Sequence, residues 1–501
     1  MNKLAISLGV YAFAAMVQRT AAQDLVRHPI SFGASMDYGQ VVKGRFFEQP
    51  GPDSIADGQI ITRTGVYLNE GGSYGNLDIR ITVGGLFWSV LPENRLEFEK
   101  RLLYFGAAIG QAQAIYAFGN VEEPWGKLSV GFFPIKSNPD SKNLGEYLYR
   151  SGTYPGVIYT GGWSLLNSAA YMAQGACFRL PTFGDALSHD FTLTMERDME
   201  PNYDFSPGYA FTWNPAAHFE VGGGLVWAHG LAIRPDSVLT PRTFKNAYDT
   251  RNNRPLLYND VQTGETGKPH YRSGDTAIVE STDARLGTEM PGRHGKNYVT
   301  AQQNGVPGEF LGYYTYKGFK AMARASIDFG GLFGINEAIG EGAFKLYAEW
   351  AWLGIRNQPY FYDKASERMP IMVGLNIPTF KALDNLGVEV EYRKSRFPDT
   401  FRSGFYEQIP LPWDAVTDVS AYDETSTGFA QTEKDAKKDD LKWSIYAKRT
   451  IRKGLSVHAQ AASDHIRFVT TEGGGKFRPT YSPTTREAGH WYYLLRLEMG
   501  I

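Results

Sequence analysis

The chain has a single cysteine, Cys177, in 501 residues. A chain with one cysteine cannot close an intramolecular disulfide, so its stability has to be non-covalent. No run of 18 apolar residues occurs after the first 20 positions and the mean hydropathy is −0.33, which argues against membrane-spanning helices. An excess of one charge is also missing. Lys+Arg number 51 and Asp+Glu 53, so no basic field for nucleic acid is present. The nine histidines are scattered without zinc-site spacing, and neither a metal nor any other cofactor is expected. Glu472–Lys476 (EGGGK) has the glycines of a phosphate loop but not its strand-then-helix context. Gly71-Gly72-Ser73-Tyr74-Gly75 matches a serine-hydrolase elbow in letters, yet it joins two predicted strands instead of a strand and a helix.

What is abundant is aromatic and glycine: Tyr 30, Phe 30, Trp 10 and Gly 55, a composition that favours β structure. The N-terminus has the order of a cleaved secretory signal. Lys3 is followed by apolar Leu4–Val17 and by small Thr20-Ala21-Ala22. Residues 1–22 are therefore expected to be removed, leaving 23–501 as one domain.

The dominant pattern is strict alternation. Ile30, Phe32, Ala34, Met36 and Tyr38 alternate with Ser31, Gly33, Ser35, Asp37 and Gly39; Leu386, Val388, Val390 and Tyr392 alternate with Glu389, Glu391 and Arg393. Period two over such lengths means strands with one apolar and one wet face. Sixteen are predicted, over 29–40, 59–69, 76–90, 102–118, 125–135, 169–180, 189–199, 208–214, 217–230, 311–328, 343–354, 369–377, 385–396, 440–449, 455–465 and 490–501. Boundary uncertainty admits roughly 14 to 18. Connections after odd strands are long, among them 135–168, 231–310, 397–439 and 466–489, whereas those after even strands are short. If neighbouring strands run antiparallel, the long loops all lie at one end and the short turns at the other. That is the layout of a transmembrane up-and-down antiparallel β-barrel with long extracellular loops and short periplasmic turns.

In such a barrel the apolar set faces lipid and the charged set faces the lumen. The lumen charges expected are Asp37, Arg63, Arg80, Arg179, Glu196, Lys320, Arg324, Glu349, Glu389, Glu391, Arg393, Arg496 and Glu498, with Lys127 and Lys345 among other candidates and Cys177 as a small filler. So many ionisable groups on one face need water or mutual pairing. Trp213, Trp227, Trp443 and Trp491 fall at strand ends, as interfacial girdles require. In the third long connection, Asn143 is placed to cap a short helix with Glu146 three residues on, ended by Gly152 and Pro155. The last twelve residues, HWYYLLRLEMGI, alternate to the end, which suits a final strand closing on the first, with Arg496 and Glu498 near Asp37.

With its signal segment, sixteen alternating strands, long third loop and two-faced final strand, the chain resembles the bacterial porins. The resemblance is architectural and rests on no family-specific residue string. It implies a non-enzymatic, water-filled outer-membrane channel for passive diffusion of ions and small hydrophilic solutes. It further implies a third loop that narrows the pore through Asp140, Lys142, Glu146, Tyr147 and Arg150. Outer-membrane lipid, assembly by the insertion machinery through the C-terminal strand, and a homotrimer are implied as well. Ile501 departs from the aromatic residue that usually ends that strand. Two other readings stay open: a lipase- or protease-like outer-membrane barrel enzyme, and an adhesive or structural barrel with ligand-binding loops.

Overall fold

The computed structural model describes residues 26–46, 57–58, 60–90, 103–149, 171–183, 186–195, 204–228, 318–355, 365–393, 441–463 and 489–500, with isolated pieces of the connections 229–317 and 464–488. Its main sheet has 17 strands, one being the two-residue Val26–Arg27, which lengthens the first strand's track along its neighbour; the other sixteen form the wall. In chain order they are β1 (Ser31–Lys43), β2 (Ile60–Tyr74), β3 (Leu77–Val90), β4 (Leu103–Gly119), β5 (Pro124–Ile135), β6 (Tyr171–Thr182), β7 (Leu187–Met195) and β8 (Phe205–Ala216). The second half is β9 (Phe219–Ala228), β10 (Gly318–Asp328), β11 (Lys345–Leu353), β12 (Ile371–Asn376), β13 (Asn385–Tyr392), β14 (Leu441–Arg452), β15 (Leu455–Ala462) and β16 (Trp491–Gly500).

Each strand pairs antiparallel with the next, and β16 pairs with β1 from Gly33↔Gly500 to Lys43↔Trp491. The sheet is thus a closed sixteen-strand ring. Closure leaves no edge, so the backbone groups of every strand face a partner on both sides. Even-numbered connections are the short ones. The β2–β3 turn is only Gly75-Asn76, with Gly75 at φ +56, the left-handed value a type II′ turn needs at its first central residue. The β10–β11 connection is the exception among them and carries two four-residue helices, Phe329–Leu332 and Asn336–Ile339.

The two faces separate as the alternation predicts. Phe32, Met36, Val66, Ile79, Ile81, Val83, Val390, Leu495, Leu497 and Met499 are exposed on the outside, which is the band a hydrocarbon environment covers. Aromatics close the band at both ends. Tyr116, Phe118, Trp125 and Phe178 cluster near the short turns, with ring centroids 5.0–6.2 Å apart. Trp227 stacks on Phe319 at 5.7 Å and Trp443 lies 6.2 Å from Trp491 near the long loops.

Two strand boundaries differ from expectation: β2, expected over 59–69, runs on to Tyr74, and a second difference concerns β10. Residues 311–328 are not a single strand: β10 starts at Gly318, and Val306–Tyr313 belongs to a separate seven-stranded sheet formed within the long connection after β9. Clear alternation begins only at Phe319, and the aromatic stretch before it reads as part of the same strand.

The seam is held by more than ladder bonds. Asp37 and Arg496 are direct cross-strand partners, and Arg496 Nε and Nη2 donate to Asp37 Oδ1 and Oδ2 at 2.7 and 3.0 Å, with both side chains buried. Breaking a buried pair by deleting one member leaves an uncompensated charge and costs about 3–5 kcal/mol. Asp37→Ala is therefore expected to lower the urea midpoint of the detergent-solubilised barrel clearly, whereas Arg80→Ala, which breaks an exposed pair, leaves it within error. Equal midpoints for the two variants would mean that the ion pair does not hold the seam.

Candidate functional site: the third loop inside the barrel

After β5 the chain turns inward. Residues 136–149 lie against the inner faces of the opposite strands, as their bonds show. Lys142, Asn143 and Leu144 N–H groups donate to the Glu389 carboxylate at 2.5–2.9 Å. Gly145 N–H donates to Glu391 at 3.2 Å, and Glu146 and Tyr147 N–H groups each donate to Glu349 at 2.7 Å. Glu349 lies on β11 and Glu389 and Glu391 on β13, so three wall carboxylates receive six consecutive backbone amides. Tyr347 donates its hydroxyl to Glu389 at 3.0 Å, and Asn138 Nδ2 donates to Glu349 at 2.8 Å.

The expected helix after Asn143 does not form. Residues 143–149 stay in turns and bends, because reaching the three carboxylates takes the backbone through two consecutive left-handed residues, which a right-handed helix cannot contain. Two residues adopt the left-handed region to permit the wrap, Gly145 at φ +76 and Glu146 at φ +58. A Cβ on Gly145 would come within 2.6 Å of Met372 Cε and 2.9 Å of a Glu349 carboxylate oxygen, so only glycine fits. Glu146 carries the conformational cost, of order 1–3 kcal/mol, and offsets it by closing the loop on itself. Its carboxylate accepts from Ser137 N and Oγ at 2.5 Å and from Asn138 N at 2.7 Å.

Apolar packing completes the fit. Leu144, Tyr147, Leu148 and Tyr149 are buried among Phe133, Ala173, Val226, Met322, Tyr347, Ala351, Leu353 and Met372. Each large side chain contributes about 1.5–3 kcal/mol of burial. Tyr149 also shares a hydrogen bond with Thr192 of β7 at 3.2 Å. Burial pushes the Glu146 carboxyl above the ordinary carboxylate range and the Lys136 ammonium below the ordinary amine value, each effect being partly offset by the other's charge. Lys136 Nζ donates to the Ser141 and Pro139 carbonyls at 2.6 and 3.3 Å.

Of the loop residues singled out in the sequence, Glu146 and Tyr147 are fully buried and serve the loop's own structure. Asp140 accepts from Lys345 Nζ at 2.7 Å, Lys142 is half-buried, and Arg150 lies outside the described residues. Of the wall charges, Asp37, Lys320, Arg324, Glu349, Glu389, Glu391, Arg393 and Arg496 are buried, each at most 7% exposed. Glu498 is half-buried beside His458, 3.2 Å away. Arg324 pairs with Glu220 and donates to Thr212 Oγ1 at 2.7 Å. Arg80 and Arg179 are exposed, bonded to Asp78 at 2.7 Å and to Asp190 at 2.6 and 2.8 Å. Glu196 and the Arg63 side chain lie outside what is described. Of the two ways such a charged face can be accommodated, water or mutual pairing, most of the described charges use pairing or hydrogen bonds within the protein.

No protein-family model matches the chain, and no curated protein is similar to it in sequence. Solved structures of similar fold include a mutant of the Rh. blastica porin (9% identity, 95% of this chain and 100% of that one, TM-score 0.37). They also include Pseudomonas putida OprB at high pH (8% identity, 95% and 94%, TM-score 0.45). A third is Salmonella typhi OmpF in complex with daunomycin (9% identity, 96% and 98%, TM-score 0.41). By its own strand pairing, with sixteen antiparallel strands and closure of β16 on β1, this chain is a closed up-and-down β-barrel.

Two serine–histidine contacts were not foreseen. His28 Nε2 lies 2.7 Å from Ser73 Oγ and 3.0 Å from Asp78 Oδ1, and Ser73 Oγ itself donates to Asp78 at 3.1 Å. His458 Nε2 lies 2.9 Å from Ser456 Oγ and 3.2 Å from Glu498. In both, serine and carboxylate share one ring nitrogen. A nucleophile relay needs them on opposite nitrogens, so neither trio has that geometry. Sequence reading also missed Ser137, Asn138 and Tyr347 as loop anchors. Their only signal was Tyr347 alternating with Lys345 and Glu349 on one face.

Glu389→Ala removes the acceptor of three loop amides, each of which costs about 1–3 kcal/mol when buried unpaired. We expect faster tryptic cleavage at Lys136 and Lys142 in the folded barrel, with heat-modifiable gel mobility unchanged. An unchanged cleavage rate would show that the apolar cluster alone holds the loop.

Proposed function

We propose that the protein is an outer-membrane porin, a water-filled channel for passive diffusion of ions and small hydrophilic solutes. The observation that carries this reading is the closed ring with an apolar outside and a charged inside. A sheet that hides its polar groups from hydrocarbon and turns its charges inward is suited to lipid on one face and water on the other. The inward-folded third loop supports a second element: it takes up cross-section inside the ring, anchored on β11 and β13, while the exposed inner-face charges lie on β3, β5 and β6. The channel is narrowed by that loop through its bulk, with the half-buried Lys142 as its more accessible charge.

The same reading takes residues 1–22 as a cleaved export signal, long loops outside the cell, short turns in the periplasm, and a C-terminal strand that the insertion machinery recognises. A homotrimer fits this class of channel. No enzymatic step is proposed, because neither serine–histidine contact supports a relay and permeation needs none.

Purified protein added to a planar bilayer is expected to give discrete conductance steps that are linear with voltage. Insertion without conductance would mean a sealed barrel and would end the porin reading in favour of a structural or adhesive one.

A further inference from the structure

The inner face sorts its charges by exposure, and the sorting follows sign. Its carboxylates are consumed by the protein. Glu349, Glu389 and Glu391 are 1% exposed and Glu146 is 0% exposed, because they accept loop amides. Asp37 is held by Arg496 and Asp140 by Lys345. Several bases are withdrawn as well, among them Lys320, Arg324 and Lys442, at no more than 5% exposed. What is left for water is different in kind. On the inner face of the described strands, the charged residues that remain exposed are Arg80 on β3, Lys127 on β5 and Arg179 on β6. All three are basic.

Lys127 and Arg179 are directly opposite each other across the β5–β6 ladder. Like charges at such positions lie about 4.5–5.5 Å apart at Cβ and repel. One carboxylate serves this rung: Asp190, opposite Arg179 on β7, binds that guanidinium through both oxygens. On its other side Lys127 faces Ala117, and among the described residues it has no ion-pair partner. The rung therefore holds two positive charges against one negative. Arg80 is different, since Asp78 neutralises it and also touches His28. The loop adds nothing acidic to offset the rung, because over 136–149 its two carboxylates, Asp140 and Glu146, are both buried.

We propose that Lys127 and Arg179 form a station for small anions and make the channel anion-preferring. The occupant is a chloride-sized ion, or the carboxylate or phosphate group of a small solute, bridging two exposed cations that repel each other when it is absent. This rests on the channel reading above and adds to it a solute class. The experiment uses the full mature chain in planar bilayers under a potassium chloride gradient. Wild-type protein should show a reversal potential of the anion sign. Lys127→Gln should reduce the anion-to-cation permeability ratio roughly fivefold, the size set by one charge acting over a few ångströms of water. Lys127→Glu should carry it past unity, and Lys453→Gln, on an exposed short turn, should leave it unchanged. A wild-type reversal potential at zero or of the cation sign overturns the proposal. So does an anion preference that both Lys127 variants leave intact. Heat-modifiable mobility reports that each variant is folded. Silent bilayers with wild-type protein are a separate result, which overturns the channel reading and this inference with it.

Discussion

Every strand of this protein depends on one constraint: its backbone amides and carbonyls need partners on both sides, and a sheet with a free edge cannot supply them in a medium without water. The constraint is met where β16 returns to β1. Once the ring is closed, the alternation along each strand acquires a fixed meaning, because one face of a ring is always inside. Apolar Met36 and Leu497 stand outside while Asp37 and Arg496, one residue away on the same strands, stand inside and bond to each other. The ion pair at the seam is thus a consequence of closure and also a lock upon it.

An inside face that carries charge creates a second problem, and the third loop is the answer to part of it. Glu349, Glu389 and Glu391 would be costly as bare buried carboxylates. Six amides of residues 142–147 turn them into anchors. Leu144, Tyr147 and Leu148 then pack into a cluster that no single strand could provide. Acid and base are buried in unequal fashion, and the two side chains left exposed at the β5–β6 rung, Lys127 and Arg179, are both positive.

Much of the fold was legible because period two is a local property. Phe32, Met36 and Leu495 announce the outer face from their neighbours alone, and the parity of loop lengths needs only counting. The separation of Val306–Tyr313 from Gly318–Asp328 was not legible, since both pieces are strands close together in sequence and differ in which sheet they join. The helix expected after Asn143 failed for a related reason. Local capping signals were present, but the chain follows acceptors on β11 and β13, roughly two hundred or more residues along the chain, through left-handed Gly145 and Glu146, which a helix excludes. Glu146, placed at the pore edge by its charge, proved to be a brace for Ser137 and Asn138.

The sequence by itself determined the strand count, the two faces and the side on which long loops lie, because these follow from hydrogen-bond geometry and side-chain alternation within each segment. It also placed charges on the inner face. Only the tertiary structure decided which of those charges meet water. That depends on where the third loop lands and which carboxylates its amides reach, and such contacts join positions whose separation in sequence carries no trace of their meeting.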